Sequence, residues 1–350
     1  MNAANHVERR RGTEQLLVID PGCGCWATTG VSRMADALNE GDLVVVNDAA
    51  TLPASLHATS ERGEPVEIRL MSAPTQNRWP VALLGGGDWR TPTQDRPAPP
   101  TLAVGDRLFV GPDLIGEVVH LQDRRLATLA FRSADVWAAL YRHGRAVQYA
   151  YMDQEVPMSA VQTAFAGRPW AVEMPSAARP LTWSMLLPLM RRGVGLAKLT
   201  HGAGLSSIDG GALDRRLPLP ERSDIPEQTV RAIQQTHRSG GRVLAVGTTV
   251  TRALEGRVHQ AGALVPGESV TDLILTPAYT PQVVHGLLSN LHEPGESHFE
   301  LMSAFAPREV LMAANATAQN RGFLAHEFGD ATLIMAGALE RIGPDGCVAA

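Results

Sequence analysis

The sequence predicts an α/β protein of two domains, an α/β domain formed by both ends of the chain and a small β-barrel-like domain inserted between them. Two observations predict this. Near both termini, apolar runs of strand length alternate with longer helical stretches, whereas the segment between them breaks into short β-rich pieces divided by Gly, Pro and Asp. The expected boundaries are 1–56 and 146–350 for the α/β domain and 57–145 for the insertion.

EQLLVID, SRMADALNE and DLVVVND read as strand, helix and strand, a βαβ-like rhythm closed by Gly41 before the second strand. From Leu56, the runs PVEIRLM, WPVALLG, DRLFV, LIGEVVHL and RRLATLAF are bounded by turn residues and by the Pro-rich TPTQDRPAPPT, which suits a small barrel or sandwich. After ADVWAALYRHG the helical period returns. LTWSMLLPLMRRG, EQTVRAIQQTHRSGG, VTRALEGRVHQAG and REVLMAANATAQNRG read as helical, and VGLAKLT, RVLAVGTT, LILTPA and ATLIMAG as apolar strands. There is no internal repeat.

With 350 residues, 44% hydrophobic and 19% charged, the chain can bury a core without staples. A net charge of -5 argues against a surface made mainly to hold phosphates, but leaves room for a local basic patch. Cys23, Cys25 and Cys347 are too few for a disulfide framework, and the polar start MNAANHVERRRGTEQ lacks an apolar leader. The expectation is a cytoplasmic protein with no membrane partner. The CGC pair beside Trp26 has no second Cys or His pair at zinc spacing, so it is expected to lie in a loop, and no metal is expected.

Five places offer chemistry. In GGRVLAVGTTVTRALEG a strand passes through Gly247, Thr248 and Thr249 into a helix whose free N–H groups and dipole favour an anion; otherwise a threonine merely caps the helix, with Arg252 and Glu255 paired on its surface. LTHGAGLSS places Gly202 and Gly204 after another apolar strand, where a ligand can approach the backbone, or where the chain simply turns tightly. SNLHEPGES brings Asn290 together with His292, an imidazole suited to acid or base work near neutral pH unless it is a surface residue. In FGDATLIM, Asp330 is a ligand-binding carboxylate or an N-cap. Asn47 and Asp48, in VVVNDAATLPASL, stand past the carboxyl end of an expected parallel strand, where such sheets place ligands, or form an Asx turn into Pro53.

The order of these segments, with VQTAFAG, PSAARPLT and LMSAFA between them, closely resembles the S-adenosylmethionine:tRNA ribosyltransferase-isomerase family of queuosine biosynthesis, from about Leu16 to Met335. GGRVLAVGTTVTRALE is the most specific piece. The resemblance implies a tRNA-modifying transferase and isomerase that uses S-adenosylmethionine as co-substrate and moves its ribosyl part onto a 7-aminomethyl-7-deazaguanine base in tRNA. It makes Gly202, Gly204, Gly247, Thr248, Thr249, Arg252 and Asn290 ligand contacts, and leaves His292, Asp48 and Asp330 as candidates for acid, base or polar ligand roles.

The chain departs from the family pattern in several places. Pro180 replaces a histidine, Thr200 stands where another histidine belongs with His201 one place along, and Ala50 and Ser55 replace two arginines. Pro218, Leu219, Pro220 and Glu221 stand for Met-His-x-Glu, and Phe328 for a tyrosine. These losses bear on tRNA recognition and epoxide-forming chemistry. Two alternatives therefore stay open: a small nucleoside-like acceptor in place of tRNA, and a non-catalytic protein that binds S-adenosylmethionine or a related adenosine compound. For tRNA, Arg124, Arg125, Arg191, Arg192, Arg215 and Arg216 should gather around one cleft.

Overall fold

The computed structural model describes every residue except 8, 9, 343–347 and 350, and for 348 and 349 the backbone alone. Among the described residues one sheet runs in the order Gly267–Thr271, Glu221–Ile225, Gly195–His201, Leu43–Asn47, Val243–Val246, Gly286–Asn290, Ala331–Met335, Gln15–Asp20, Cys25–Gly30 and Val348–Ala349. The four strands from Gly195–His201 to Gly286–Asn290 are mutually parallel. Both flanks turn antiparallel.

Every residue of LVVVN is buried, as expected of a central parallel strand covered on both faces. Because side chains alternate, Val44 and Val46 pack with Met34, Leu181 and Leu186 on one face, and Leu43 and Val45 with Ile233, Val250 and Leu254 on the other. The helices Glu227–Arg238, Thr248–Ala261 and Arg308–Asn320 cover this second face. On the first lie the helix Trp183–Arg191 and the 3-10 turn Val31–Ala37. Gly262, with φ 71°, ends the Thr248–Ala261 helix in the left-handed conformation open to glycine.

Six strands close a barrel in the order Leu114–Leu121, Leu126–Arg132, Trp79–Gly85, Pro65–Leu70, Ser55–Ser60 and Arg107–Gly111. Leu56, Ile68, Leu83, Leu108, Val118, Leu129 and Phe131 fill its interior. The helix Val136–His143 follows, capped by the Asp135 side chain accepting from the Ala138 N–H at 3.0 Å. No helix among the described residues is long and apolar enough to cross a membrane.

Three local expectations are corrected. The first segment is a hairpin, Gln15–Asp20 with Cys25–Gly30, followed by a 3-10 turn; the strand at Leu43 is not its neighbour in the sheet. Trp26, Thr28 and Thr29 are strand formers after a Gly-containing turn and supply the unexpected second strand, while SRMADALNE winds as a short 3-10 helix over Val31–Ala37 rather than an α-helix. Cys23 is exposed in that turn, Cys25 opens a strand rather than lying in a loop, and Cys347 lies outside the described residues. LILTPA forms no strand, although Leu273 and Leu275 are buried; the edge strand is the more polar GESVT, held by its ladder to Glu221–Ile225.

Candidate functional site

The chain leaves Leu43–Asn47 through the barrel and returns beside it as Gly195–His201. It then crosses by the helix Glu227–Arg238 to Val243–Val246 on the other side of Leu43–Asn47. Connections that diverge from a central strand open a crevice at its carboxyl end. His201, Asn47, Gly247 and Asn290 stand at the carboxyl ends of these four parallel strands.

Gly247 has φ 95° and ψ 156°, a conformation that side chains resist, and it caps the helix without any side-chain cap bond. The threonines are therefore not the cap. The first N–H groups of this helix lack intrahelical acceptors and sit at its positive end. Thr249 Oγ1 accepts from Asn47 Nδ2 at 3.3 Å, and the same amide nitrogen donates to the His201 carbonyl at 2.9 Å. Asn47 Oδ1 accepts from the N–H groups of His201 at 2.9 Å and Ala49 at 3.0 Å, so an Asx turn and a link between strand ends come from one side chain.

Arg252 and Glu255 are not a surface pair. Both are buried, Arg252 about one turn and Glu255 about two turns into the helix. Glu255 accepts from Tyr279 Oη at 3.0 Å and from the N–H groups of Gln282, Val283 and Val284, each at 2.9 Å. Arg252 donates through Nε to the Leu273 carbonyl at 3.1 Å and through Nη1 to the Glu221 carboxylate, while its buried Nη2 has no acceptor. Glu221 also accepts from the Gly204 N–H at 2.8 Å, which ties the second glycine turn to the first. Burial raises the Glu221 pKa against the opposing charge of Arg252.

His201 lies beside this pair, fully buried, with Nε2 3.6 Å from the nearer Glu221 oxygen, too far for a hydrogen bond. Neither ring nitrogen has a partner. Burial first, and then the Arg252 charge, push its pKa down to about 3, so the ring is neutral at physiological pH. An unfolded histidine takes up a proton near pH 6.5 and the folded one only near 3, so stability is full above the first value and is lost as pH falls toward the second. From about pH 7.5 to about pH 5 this residue should lower stability by ~2 kcal/mol, and urea unfolding of His201→Gln should show a correspondingly smaller loss.

The other expected site residues are placed unevenly. Asn290 accepts from Ser176 Oγ at 2.8 Å, and a Cβ at Gly247 would lie 3.5 Å from Ala177, which brings Asn290 to the Gly247 turn. Gly202 turns beneath Trp170, whose carbonyl lies 2.9 Å from where its Cβ would be. Buried Thr248 opens the helix. The partly exposed His292 reaches Glu296 through Nδ1 at 3.3 Å and packs on His298 with ring centroids 4.6 Å apart. Burial and then the charge of His292 lower the His298 pKa.

Asp48 takes the Thr200 hydroxyl at 2.6 Å and Lys198 Nζ at 2.9 Å, and strand alternation turns Thr200 and His201 to opposite sides. Asp330 is fully buried and accepts from the N–H groups of Gln15 at 2.6 Å and Leu324 at 2.8 Å, so it ties neighbouring segments together at the start of a strand rather than capping a helix. The six arginines do not share a cleft. Arg192 holds the Ala35 and Leu38 carbonyls where Gly195–His201 begins, whereas Arg124 holds the Pro99 carbonyl on the barrel. Among the described residues no group of three or more His, Cys, Asp or Glu is arranged to hold a metal ion.

His201 and Glu221 join the crevice without having been singled out as site residues. The signals were present: a histidine one place from its expected position, and a glutamate retained at the end of an otherwise altered motif.

Comparison with known proteins agrees with the architecture. The family described as Queuosine biosynthesis protein matches residues 1–334. A protein of Trichlorobacter lovleyi named S-adenosylmethionine:tRNA ribosyltransferase-isomerase is 29% identical over 95% of this chain and 96% of its own. One of the same name from Thermus thermophilus is 33% identical over 95% of both chains. The crystal structure of S-adenosylmethionine tRNA ribosyltransferase from Thermotoga maritima shares the fold, with a TM-score of 0.52 at 23% identity over 95% of this chain and 96% of that one. With the family model matching nearly the whole chain and a relative 33% identical over 95% of both chains, this chain belongs to the queuosine biosynthesis protein family.

Proposed function

We propose that this chain is a ribosyltransferase-isomerase that uses S-adenosylmethionine as co-substrate and modifies a 7-aminomethyl-7-deazaguanine base in tRNA. The names of its full-length relatives support the reaction class and the tRNA partner. One observation carries the site: Arg252 Nη2 and both His201 ring nitrogens are buried without protein partners, next to a glycine turn at a helix N-terminus. Buried polar groups need partners, and a ligand with a carboxylate and hydroxyls fits them.

In this reading the N–H groups and hydroxyls of Thr248 and Thr249, opened by Gly247, receive the methionine carboxylate. Arg252 and Asn290 hold the ligand from either side, and Gly202 and Gly204 allow close approach. S-adenosylmethionine supplies the ribosyl group and a sulfonium whose positive charge acidifies the neighbouring C5′ hydrogens. In this reading His292 takes a proton from that position, and its Nδ1 contact with Glu296 supports an orienting partner for the ring. Asp48 and Asp330 act through the segments they hold, the first with Lys198 and Thr200, the second by two backbone bonds.

Pro180, in place of an imidazole, favours a second reading, a non-catalytic binder of S-adenosylmethionine or a related adenosine compound. The scatter of the six arginines favours a small nucleoside-like acceptor. Adenine release decides among these. The enzyme should free adenine from S-adenosylmethionine when tRNA bearing the deazaguanine base is added; release with the free base alone would favour the small acceptor, and release with neither the binder.

A further inference from the structure

A groove of about 340 Å³ lies between the barrel and the segment 205–220. The barrel contributes His120, Gln122 and Thr128, and the segment contributes Leu213, Arg216 and Leu219. Its inner wall, Met71, Ile208, Leu219 and Pro220, also lines a water-sized cavity of about 30 Å³ that ends on Gly204 and Glu221. The groove and this cavity therefore share a wall, which sets the groove beside the Gly204 and Glu221 side of the crevice described above. Its volume is at the low end for small-ligand pockets, ~300–1,000 Å³, which suits one nucleoside better than a stacked pair.

The charges around it are sorted. Asp214 is turned inward, accepting from the N–H groups of Ile208 at 2.6 Å, Asp209 at 3.0 Å and Gly210 at 3.0 Å, and from Ser207 Oγ at 2.6 Å. Asp209 likewise accepts from the N–H groups of Gly211 at 2.7 Å and Leu213 at 3.2 Å, and Asp123 from those of Arg125 and Leu126, each at 2.7 Å. Arg215 and Arg216 are exposed and make no ion pair among the described residues. Arg125 lies close enough for its charge to help hold the Asp209 carboxyl low, and its Nη1 is buried without an acceptor. Asp209 and Asp214 are thus drawn into the segment's own N–H groups, which leaves Arg215 and Arg216 as its exposed charges on this rim, facing the exposed Asp123 on the barrel side.

We propose that this groove is a subsite for one unstacked nucleotide of the acceptor RNA, flanking the base that is modified. This rests on the tRNA reading above. Gln122 and Thr128 present amide and hydroxyl groups to a base edge, the leucines cover its face, and Arg215 and Arg216 meet the adjoining phosphates. Recognition of single-stranded loops by splayed bases and guanidinium groups takes this form. An acidic peptide would use the same arginines but has no need of a nucleoside-sized groove with polar groups on the barrel side.

The test uses the full chain with tRNA carrying 7-aminomethyl-7-deazaguanine, and reads tRNA Kd by filter binding alongside adenine release. The double variant Arg215→Ala with Arg216→Ala should raise tRNA Kd and KM about tenfold and flatten the salt dependence by about two units of slope. Gln122→Trp, which fills the groove from the exposed side, should raise KM with little change in salt slope. Both should leave the S-adenosylmethionine Kd unchanged. Unchanged tRNA Kd in both variants overturns the proposal, as does equal loss of S-adenosylmethionine affinity. If the unaltered protein releases no adenine, ribosyl transfer fails as the function, and tRNA Kd still decides the groove.

Discussion

Replacement of Arg252 by alanine is expected to abolish measurable S-adenosylmethionine binding and to lower folding stability by ~3 kcal/mol. The guanidinium is buried against the Glu221 carboxylate and the Leu273 carbonyl, so truncation leaves a carboxylate without its cation in a site whose burial already disfavours the charge. Arg252→Met combined with Glu221→Leu separates the two effects. Urea unfolding should recover most of the stability, because an apolar pair can replace a buried ion pair, whereas calorimetry should still find no binding. Thr249→Ala should weaken binding by only ~1 kcal/mol, since it removes one hydroxyl already engaged by Asn47. Unchanged affinity in both Arg252→Ala and Thr249→Ala would remove the ligand from this turn.

The second large effect concerns turnover. His292→Ala should reduce tRNA-dependent adenine release by ~10²–10⁴ while leaving S-adenosylmethionine affinity within about twofold, the pattern of a lost proton acceptor rather than a lost binding contact. The ring is partly exposed, sits in the loop after Gly286–Asn290, and packs on His298 outside the hydrophobic core clusters, so the variant should fold. A matched loss of affinity and rate would make His292 a binding residue instead.

How far the site could be read from the sequence follows from which contacts are local. The turn at Gly247 was legible because a strand, a glycine and a helix N-terminus are adjacent in the chain. The burial of Arg252 was not, because its partners Glu221 and Leu273 come from elements 31 and 21 residues away. The helix pattern even suggested the wrong partner, Glu255, three residues on, which instead gathers the N–H groups of the segment 282–284. Asp330 shows the same limit: local pattern offered a cap or a ligand, and the fold gave it the N–H groups of Gln15 and Leu324. In the fold itself, the long central strands and helices were plain from periodicity. The polar strands ERSDI and GESVT at one end of the sheet were not, since they are stabilised by pairing with neighbours rather than by a distinctive run of their own.

The most direct test is a calorimetric titration of the protein with S-adenosylmethionine, with S-adenosylhomocysteine as the uncharged comparison, repeated with saturating tRNA. Saturable binding that disappears in Arg252→Ala is the predicted result, with adenine appearing once tRNA is present. A folded protein that binds S-adenosylmethionine neither alone nor with tRNA would contradict the account, because the unpartnered groups of Arg252 and His201 would then belong to some other ligand.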